Sequence, residues 1–176
     1  MATETFTLDQ AEEEIAALRS ELATLEEDTR FVAAAAVKPA DESRSTTTLS
    51  DDADLTIGSL LAGTYEFAGN LGFNAGVTAD VQWTWNVSSG ATMRYTAVTN
   101  TAAAASSADV KVLWNLGSDI VSAGGLGGTL ITPVLMAGTL IVTDGGSLTL
   151  QWAWANTGTG PTILKAQSYI RLTRIA

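Results

Sequence analysis

The side chains able to do chemistry are few, and most stand in pairs or clusters. Trp83/Trp85 and Trp152/Trp154 are i, i+2 pairs, a spacing that places both rings of a pair on one side of an extended chain. Exposed, such a pair is a stacking platform for sugars; buried, it fills a core or a subunit interface. The rings of Trp83, Trp85, Trp114, Trp152 and Trp154 all alternate with polar residues, so they share the apolar side of their strands and burial is expected. Asp51, Asp52 and Asp54 form the densest carboxylate group outside the N-terminal segment, of a kind that suits a hard cation such as calcium. Leu55, Ile57 and Leu60 occupy the positions where further ligands should follow, so a solvated acidic turn is expected instead. Glu66 and Asp80 fall on different predicted strands and make no acid/base pair by spacing. Gly124-Gly-Leu-Gly-Gly128 lacks the Gly-Lys-Ser/Thr ending of a phosphate loop and the last glycine of a dinucleotide fingerprint, and it reads as an inter-strand loop. Asn86-Val87-Ser88 has the pattern of a glycosylation acceptor, and Lys38, Lys111 and Lys165 show no companion that would mark a nucleophile.

Two absences narrow the chemistry further. The 176 residues include no cysteine and no histidine, which excludes disulfides, thiolate nucleophiles and cysteine- or histidine-ligated metals, and removes the usual proton shuttle. No catalytic, cofactor or metal position is therefore expected. The net charge of −10 argues against nucleic acid, whose phosphates require a basic surface.

That charge is unevenly placed. Residues 1–54 carry 14 acids and 4 bases (4 − 14 = −10), whereas residues 55–176 carry five of each and all 16 glycines. The shift marks an acidic arm followed by a neutral, glycine-rich body. Leu8, Ala11, Ile15, Leu18, Leu22 and Leu25 recur with 3,4 spacing, and Thr29 and Val32 continue the phase. Such a stripe is the a/d seam of about three heptads, too narrow for a globular core face, and it predicts an N-terminal coiled coil; a single helix on another surface is the competing reading. Thr7 and Gln10 have capping-box spacing with Phe6 at the helix start, and Ala33 to Ala36 extend the helix until Pro39 ends it near Val37. The predicted organisation is an anchoring and oligomerising helix over 1–37, a linker over 38–43 and a head over 44–176. In a parallel coil Glu14 faces Arg19 but Glu21 faces Glu26, so the arm is expected to need help in holding its strands together.

The head reads as strands. Tyr65, Phe67, Gly69, Leu71 and Phe73 alternate with Glu66, Ala68, Asn70 and Gly72; Val81 to Val87, Val110 to Trp114 and Leu148 to Trp154 do likewise. Turn chemistry at Asn74 to Gly76, Ser88 to Gly90, Asn115 to Ser118, Asp144 to Gly146 and Asn156 to Pro161 separates them, which predicts an antiparallel sandwich or barrel. Ile120 to Thr143 is 24 residues without a charge, long enough to span a bilayer, but its five glycines and Pro133 favour a loop and strands around Leu130 to Leu135 and Thr139 to Val142. No membrane span is expected, nor export by a cleavable leader.

Arg44 to Leu49, the acidic turn to Leu55, and Gly63-Thr-Tyr65-Glu-Phe67 resemble the opening strands of a jelly-roll module common in virion proteins of tailed bacteriophages. Gly146 to Ala153 and Ser168-Tyr169-Ile-Arg171-Leu-Thr-Arg174 look like its last two strands. This module is similar to the tumour-necrosis-factor and complement globular heads, which assemble as trimers. The resemblance covers residues 44–176 and implies a mainly β antiparallel jelly-roll sandwich with a structural or adhesive role, not an enzymatic one. It implies a homotrimer with Tyr65, Phe67, Trp83, Trp85, Trp114, Trp152, Trp154 and Tyr169 in the core or at the subunit interface. The expected protein is a capsid decoration protein or short head fibre on the virion surface, on the capsid rather than the tail, held to other virion proteins, the major capsid protein first among them, through residues 1–37. The alternative is a receptor-binding tail-fibre tip that recognises host glycans through loops such as Gly124 to Gly128 and Asn156 to Pro161.

Overall fold

The computed structural model describes residues 8–29, 33–101, 109–156 and 160–176. They form one helix, α1 (Leu8–Thr29), and the strands β1 (Ala33–Val37), β2 (Glu42–Arg44), β3 (Ser50–Leu60), β4 (Gly63–Asn74), β5 (Val81–Val87), β6 (Ala91–Asn100), β7 (Val110–Leu116), β8 (Val121–Ala123), β9 (Thr132–Val142), β10 (Gly146–Trp154), β11 (Thr162–Leu164) and β12 (Tyr169–Arg174). The chain divides into an N-terminal unit, residues 1–32, and a body, residues 33–176.

In the N-terminal unit, α1 spans about 33 Å at ~1.5 Å per residue. Ile15, Leu18 and Leu22 are exposed and Ala11 is half-buried. Leu8 and Leu25 belong to the helix, but their side chains, like Phe6, Thr7 and Val32, lie outside the described residues.

The body is mainly β. An eight-stranded sheet runs β1-β12-β4-β9-β6-β7, with β11 joining β4 to β2, and a four-stranded sheet runs β3-β10-β5-β8. Every strand pair is antiparallel. One core takes side chains from the inner faces of both sheets, as in a β sandwich. At its centre Phe67 of β4 meets Trp85 of β5 edge-on at 5.1 Å, and Tyr95 of β6 meets both rings at 6.2–6.3 Å. Phe73 and Trp152 pair at 5.8 Å.

Three boundaries differ from the expected ones. The helix does not continue to Val37: Ala33–Val37 is β1, paired residue by residue with β12 from Ala33↔Thr173 to Val37↔Tyr169. Alanine is the best helix former, but Ala36 is buried and the ladder along β12 offers the same backbone bonds, so tertiary pairing overrides propensity. The body therefore begins at Ala33 rather than 44. Residues 38–43 are not a free linker, since Lys38 is buried, its N–H donates to the Ser168 carbonyl, and Glu42 opens β2. The segments around 130–135 and 139–142 are one strand, β9, continuous through Gly138. A Cβ on Gly138 would lie 2.2 Å from the Arg94 carbonyl oxygen and 2.6 Å from Tyr95 Cα, so this glycine is what lets β6 and β9 approach.

The uncharged run from Ile120 to Thr143 holds β8, a loop and β9, and among the described residues no helix is long and apolar enough to cross a membrane.

Candidate functional site

Strand register fixes which side chains share a face, and burial shows which face is covered. On β4 the alternation puts Tyr65, Phe67, Leu71 and Phe73 inside, on β5 Val81, Trp83 and Trp85, and on β10 Leu148, Leu150 and Trp152. Trp154 is half-buried. On β7 the alternation is as expected but the apolar side points outward. Val110, Val112, Trp114 and Leu116 are exposed, Trp114 at 68% and Val112 at 67%, so Trp114 is not a core residue of the single chain.

The outward side of β7 continues across the sheet. Val112 stands beside Val98 of β6, Val98 beside Leu135 of β9, Leu135 beside Asn70 of β4, Asn70 beside Tyr169 of β12, and Tyr169 beside Val37 of β1. This ladder crosses six strands, about 24 Å at ~4.8 Å per strand. The parallel row reads Trp114, Thr96, Ala137, Ala68, Arg171 and Ala35. Val112, Leu135, Tyr169, Val37 and Ile141 on this side all count among the exposed large apolar side chains. Exposed Asn70 interrupts the first row and Arg171 the second, so the apolar side chains fall into two groups, Val112, Trp114, Leu135 and Ile141 in one and Tyr169 and Val37 in the other, of a kind that monomeric proteins seldom leave uncovered.

A polar cluster ties the end of β1 to β2 and β3. The Lys38 ammonium, 1% exposed, lies 2.6 Å from Glu42 Oε2, 3.0 Å from Asp52 Oδ2 and 2.8 Å from Asp54 Oδ2. Asp52 is fully buried, and its carboxylate also accepts from the Leu55 N–H (2.9 Å), the Asp54 N–H (3.1 Å) and Trp152 Nε1 (2.9 Å). The expected solvated turn is thus a strand with a buried anion, and Lys38, read as lacking a companion, has three. The local cause is a bulge. Between Thr149↔Thr56 and Gln151↔Asp51, β3 advances five residues against two of β10, which turns Asp52 into the interior. Burial opposes the charge on Lys38, but the carboxylates of Asp54, Glu42 and Asp52 outweigh it and raise its pKa above the ordinary lysine value. Burial also opposes the charge on Asp52, but Lys38, the Trp152 N–H and the Leu55 N–H win and hold its pKa below the usual carboxylate range. Glu42, Asp52 and Asp54 bring carboxylate oxygens close enough together for a metal ion, but the Lys38 ammonium already bonds to all three. The cluster is a structural ion pair network.

The remaining candidates separate. Glu66 is exposed on the outer side of β4, whereas Asp80 is buried before β5, where it accepts from Asn156 Nδ2 (2.8 Å) and the Gly125 N–H (3.3 Å), and burial raises its pKa. The Gly124 to Gly128 loop is mostly buried rather than free: a Cβ on Gly125 would collide with the carbonyls of Gly76, Ala75 and Ala79. In the other expected loop, Asn156 to Pro161, residues 157–159 lie outside the described residues. Lys165 pairs with Asp41 at the surface. Neither a protein-family model nor a curated protein matches the chain.

Proposed function

We propose that the protein is a non-enzymatic structural virion protein, a homotrimer in which α1 forms a short coiled coil and the two sheets form a jelly-roll head. The observation that carries this reading is the set of large apolar side chains exposed on the outer side of the eight-stranded sheet, Val112, Trp114, Leu135, Ile141, Tyr169 and Val37. A second copy of the chain is the natural cover for it, because the exposed Ile15, Leu18 and Leu22 stripe on the N-terminal unit independently calls for helices of its own kind. Two apolar surfaces on one chain, each short of a partner, reinforce one another, since joining at one raises the effective concentration at the other. The choice of three copies over two rests on the resemblance to trimeric phage jelly-roll modules, as do the virion setting and the assignment to a capsid decoration protein or short head fibre. The arm, residues 1–32, carries nine acids against two bases (2 − 9 = −7) and is read as the attachment element that meets a capsid protein.

Light scattering on the full chain is expected to give three times the 18.3 kDa chain mass. A monomer at micromolar concentration overturns the reading. A chain lacking residues 1–32, which hold α1 and no strand among the described residues, is expected to keep a folded head and to lose incorporation into phage particles; normal incorporation would exclude the arm as the anchor.

A further inference from the structure

The outer side of the four-stranded sheet is built from amides and hydroxyls. Asn86 of β5 stands beside Thr149 of β10, and Thr84 beside Gln151; Gln151 and Thr149 in turn stand beside Asp51 and Thr56 of β3. The Gln151 amide is held by its Nε2 donating to Asp51 Oδ1 at 2.8 Å, and Asn86 Nδ2 approaches the same oxygen at 3.4 Å. Both donations fall on one carboxylate oxygen. The second oxygen, Asp51 Oδ2, accepts no bond among the described residues, and the amide oxygens of Asn86 and Gln151 are likewise uncommitted.

Next to this array lies an open groove of about 610 Å³, within the range of small-ligand sites. Thr84, Asn86 and Gln151 line one flank; Leu49, Leu116 and Ile120 supply aliphatic surface, and no lining residue is charged. Leu116 and Ile120 are exposed. The floor is rigid, because the Gly117 carbonyl accepts from the Trp85 N–H (3.0 Å) and the Gly117 N–H donates to the Met93 carbonyl (3.0 Å), tying β5 of one sheet to β6 of the other. A side chain at Gly117 would press on Met93 and Val87, so the floor is also closely fitted.

We infer that this groove binds an uncharged glycan. A sugar ring has a C–H face that suits Ile120 and Leu49, and a hydroxyl edge whose donors match the free oxygens of Asp51, Gln151 and Asn86 and whose acceptors match the second amide N–H groups. Carboxylate acceptors bond hydroxyl donors strongly. An anionic sugar finds no cation in the lining, and the carboxylate of Asp51, bonded to the lining residue Gln151, is a like charge beside it. The preformed Gln151 amide and the backbone floor keep the ordering cost of binding low. The groove opens where β5 of the four-stranded sheet meets β6 and β7 of the eight-stranded one, and its polar flank, Thr84, Asn86 and Gln151, belongs to the four-stranded sheet.

The test is saturation-transfer NMR on the full chain with lactose, maltose and cellobiose as probes and sialyllactose as the charged comparison. Transfer to at least one of the three neutral disaccharides is expected, reduced at least five-fold in Asn86→Ala/Gln151→Ala and in Ile120→Glu, and unchanged in Thr139→Ala on the other sheet. No transfer to any neutral probe, transfer to sialyllactose alone, or equal transfer in both groove variants overturns the assignment. Light scattering on the same samples reports assembly separately, so loss of the trimer and loss of the sugar are distinguishable.

Discussion

The two sheets of the body share one core and face outward with opposite chemistry. Outside the four-stranded sheet stand Gln82, Thr84, Asn86, Thr149, Gln151 and Thr56, the polar half of an alternation whose apolar half is inside. Outside the eight-stranded sheet Val112, Val98, Leu135, Tyr169 and Val37 stand among Glu66, Asn70, Arg94 and Arg171, so there the outer half is mixed and carries large exposed apolar side chains. A sheet with apolar side chains on both faces is stable when both are covered. The contrast teaches that period two assigns side chains to faces without saying which of two apolar faces is the inner one. Only packing against the other sheet decides that.

The largest effect expected concerns neither outer face but the anchor of β1 and β3. Lys38→Ala leaves Asp52 buried without its cation, and breaking a buried pair on one side costs about 3–5 kcal/mol. Chemical denaturation should show that loss. A cost below about 1 kcal/mol would mean that water reaches Asp52 and that the network is a surface feature.

Trp83→Ala and Trp114→Ala then set inside against outside. Trp83 has no exposed surface, and its removal should cost about 3–5 kcal/mol. Trp114, 68% exposed in the single chain, should shift the stability of a dissociated body by less than about 0.5 kcal/mol while weakening self-association in sedimentation or light scattering. If Trp114→Ala left association intact, the apolar ladder would not be the contact between copies. A companion change, Leu135→Arg at the middle of the ladder, is expected to give a soluble species of lower mass.

These residues also show what could be read from the sequence. Tyr65 to Phe73, Val81 to Trp85 and Leu148 to Trp152 alternate cleanly because each lies in a strand with one covered face, and their inner positions followed directly. Trp114 had the same signature, yet its apolar side faces out, since no local pattern encodes a second copy. Ala33 to Ala36 misled because propensity is local and the β12 ladder is not. The Lys38 network was hidden by the β3 bulge: buried Asp52, Leu55, Ile57 and Leu60 are spaced 3, 2 and 3, which matches neither strand nor helix. The second irregularity of that spacing falls at Gly58 and Ser59, where Ser59 takes a left-handed φ of 56°. The only sequence signal for the network was a lone lysine close to a run of acids. The groove beside Gln151 left no motif, because its lining comes from β5, β6, β7, β10 and two connections brought together by topology.

Acid should act on the Lys38–Asp52 network with a definite sign. Asp52 has a depressed pKa, so its contribution is present above the ordinary carboxylate value and is lost as pH falls through the depressed one. Lys38 has a raised pKa, so its share is complete below the ordinary lysine value and is lost only as pH rises through the raised one. Asp80 opposes the acid trend, because burial raises its pKa and protonation relieves that cost. Stability is therefore expected to hold from neutral into alkaline pH and to fall below about pH 4, by about 1–3 kcal/mol for one such carboxylate. Asp52→Asn should flatten this acid limb relative to the unaltered chain; an unchanged limb would assign the acid sensitivity to other carboxylates.

The smallest expected effect is on the polar outer face. Asn86 is exposed and its one bond, to Asp51 Oδ1, is long at 3.4 Å, so Asn86→Ala should move stability by less than about 0.5 kcal/mol. It should also leave the oligomer mass unchanged, because the residue lies on the sheet opposite the ladder. Truncating Val112 on the other outer face, to Ala, is expected to be equally mild for the fold of a single chain, since Val112 is 67% exposed, but to weaken association. The pair thus matches two exposed positions with near-equal effects on folding and unequal effects on assembly. If both altered association, or neither did, the two outer faces would not differ in role, and the apolar ladder would need another cover than a second copy of the chain.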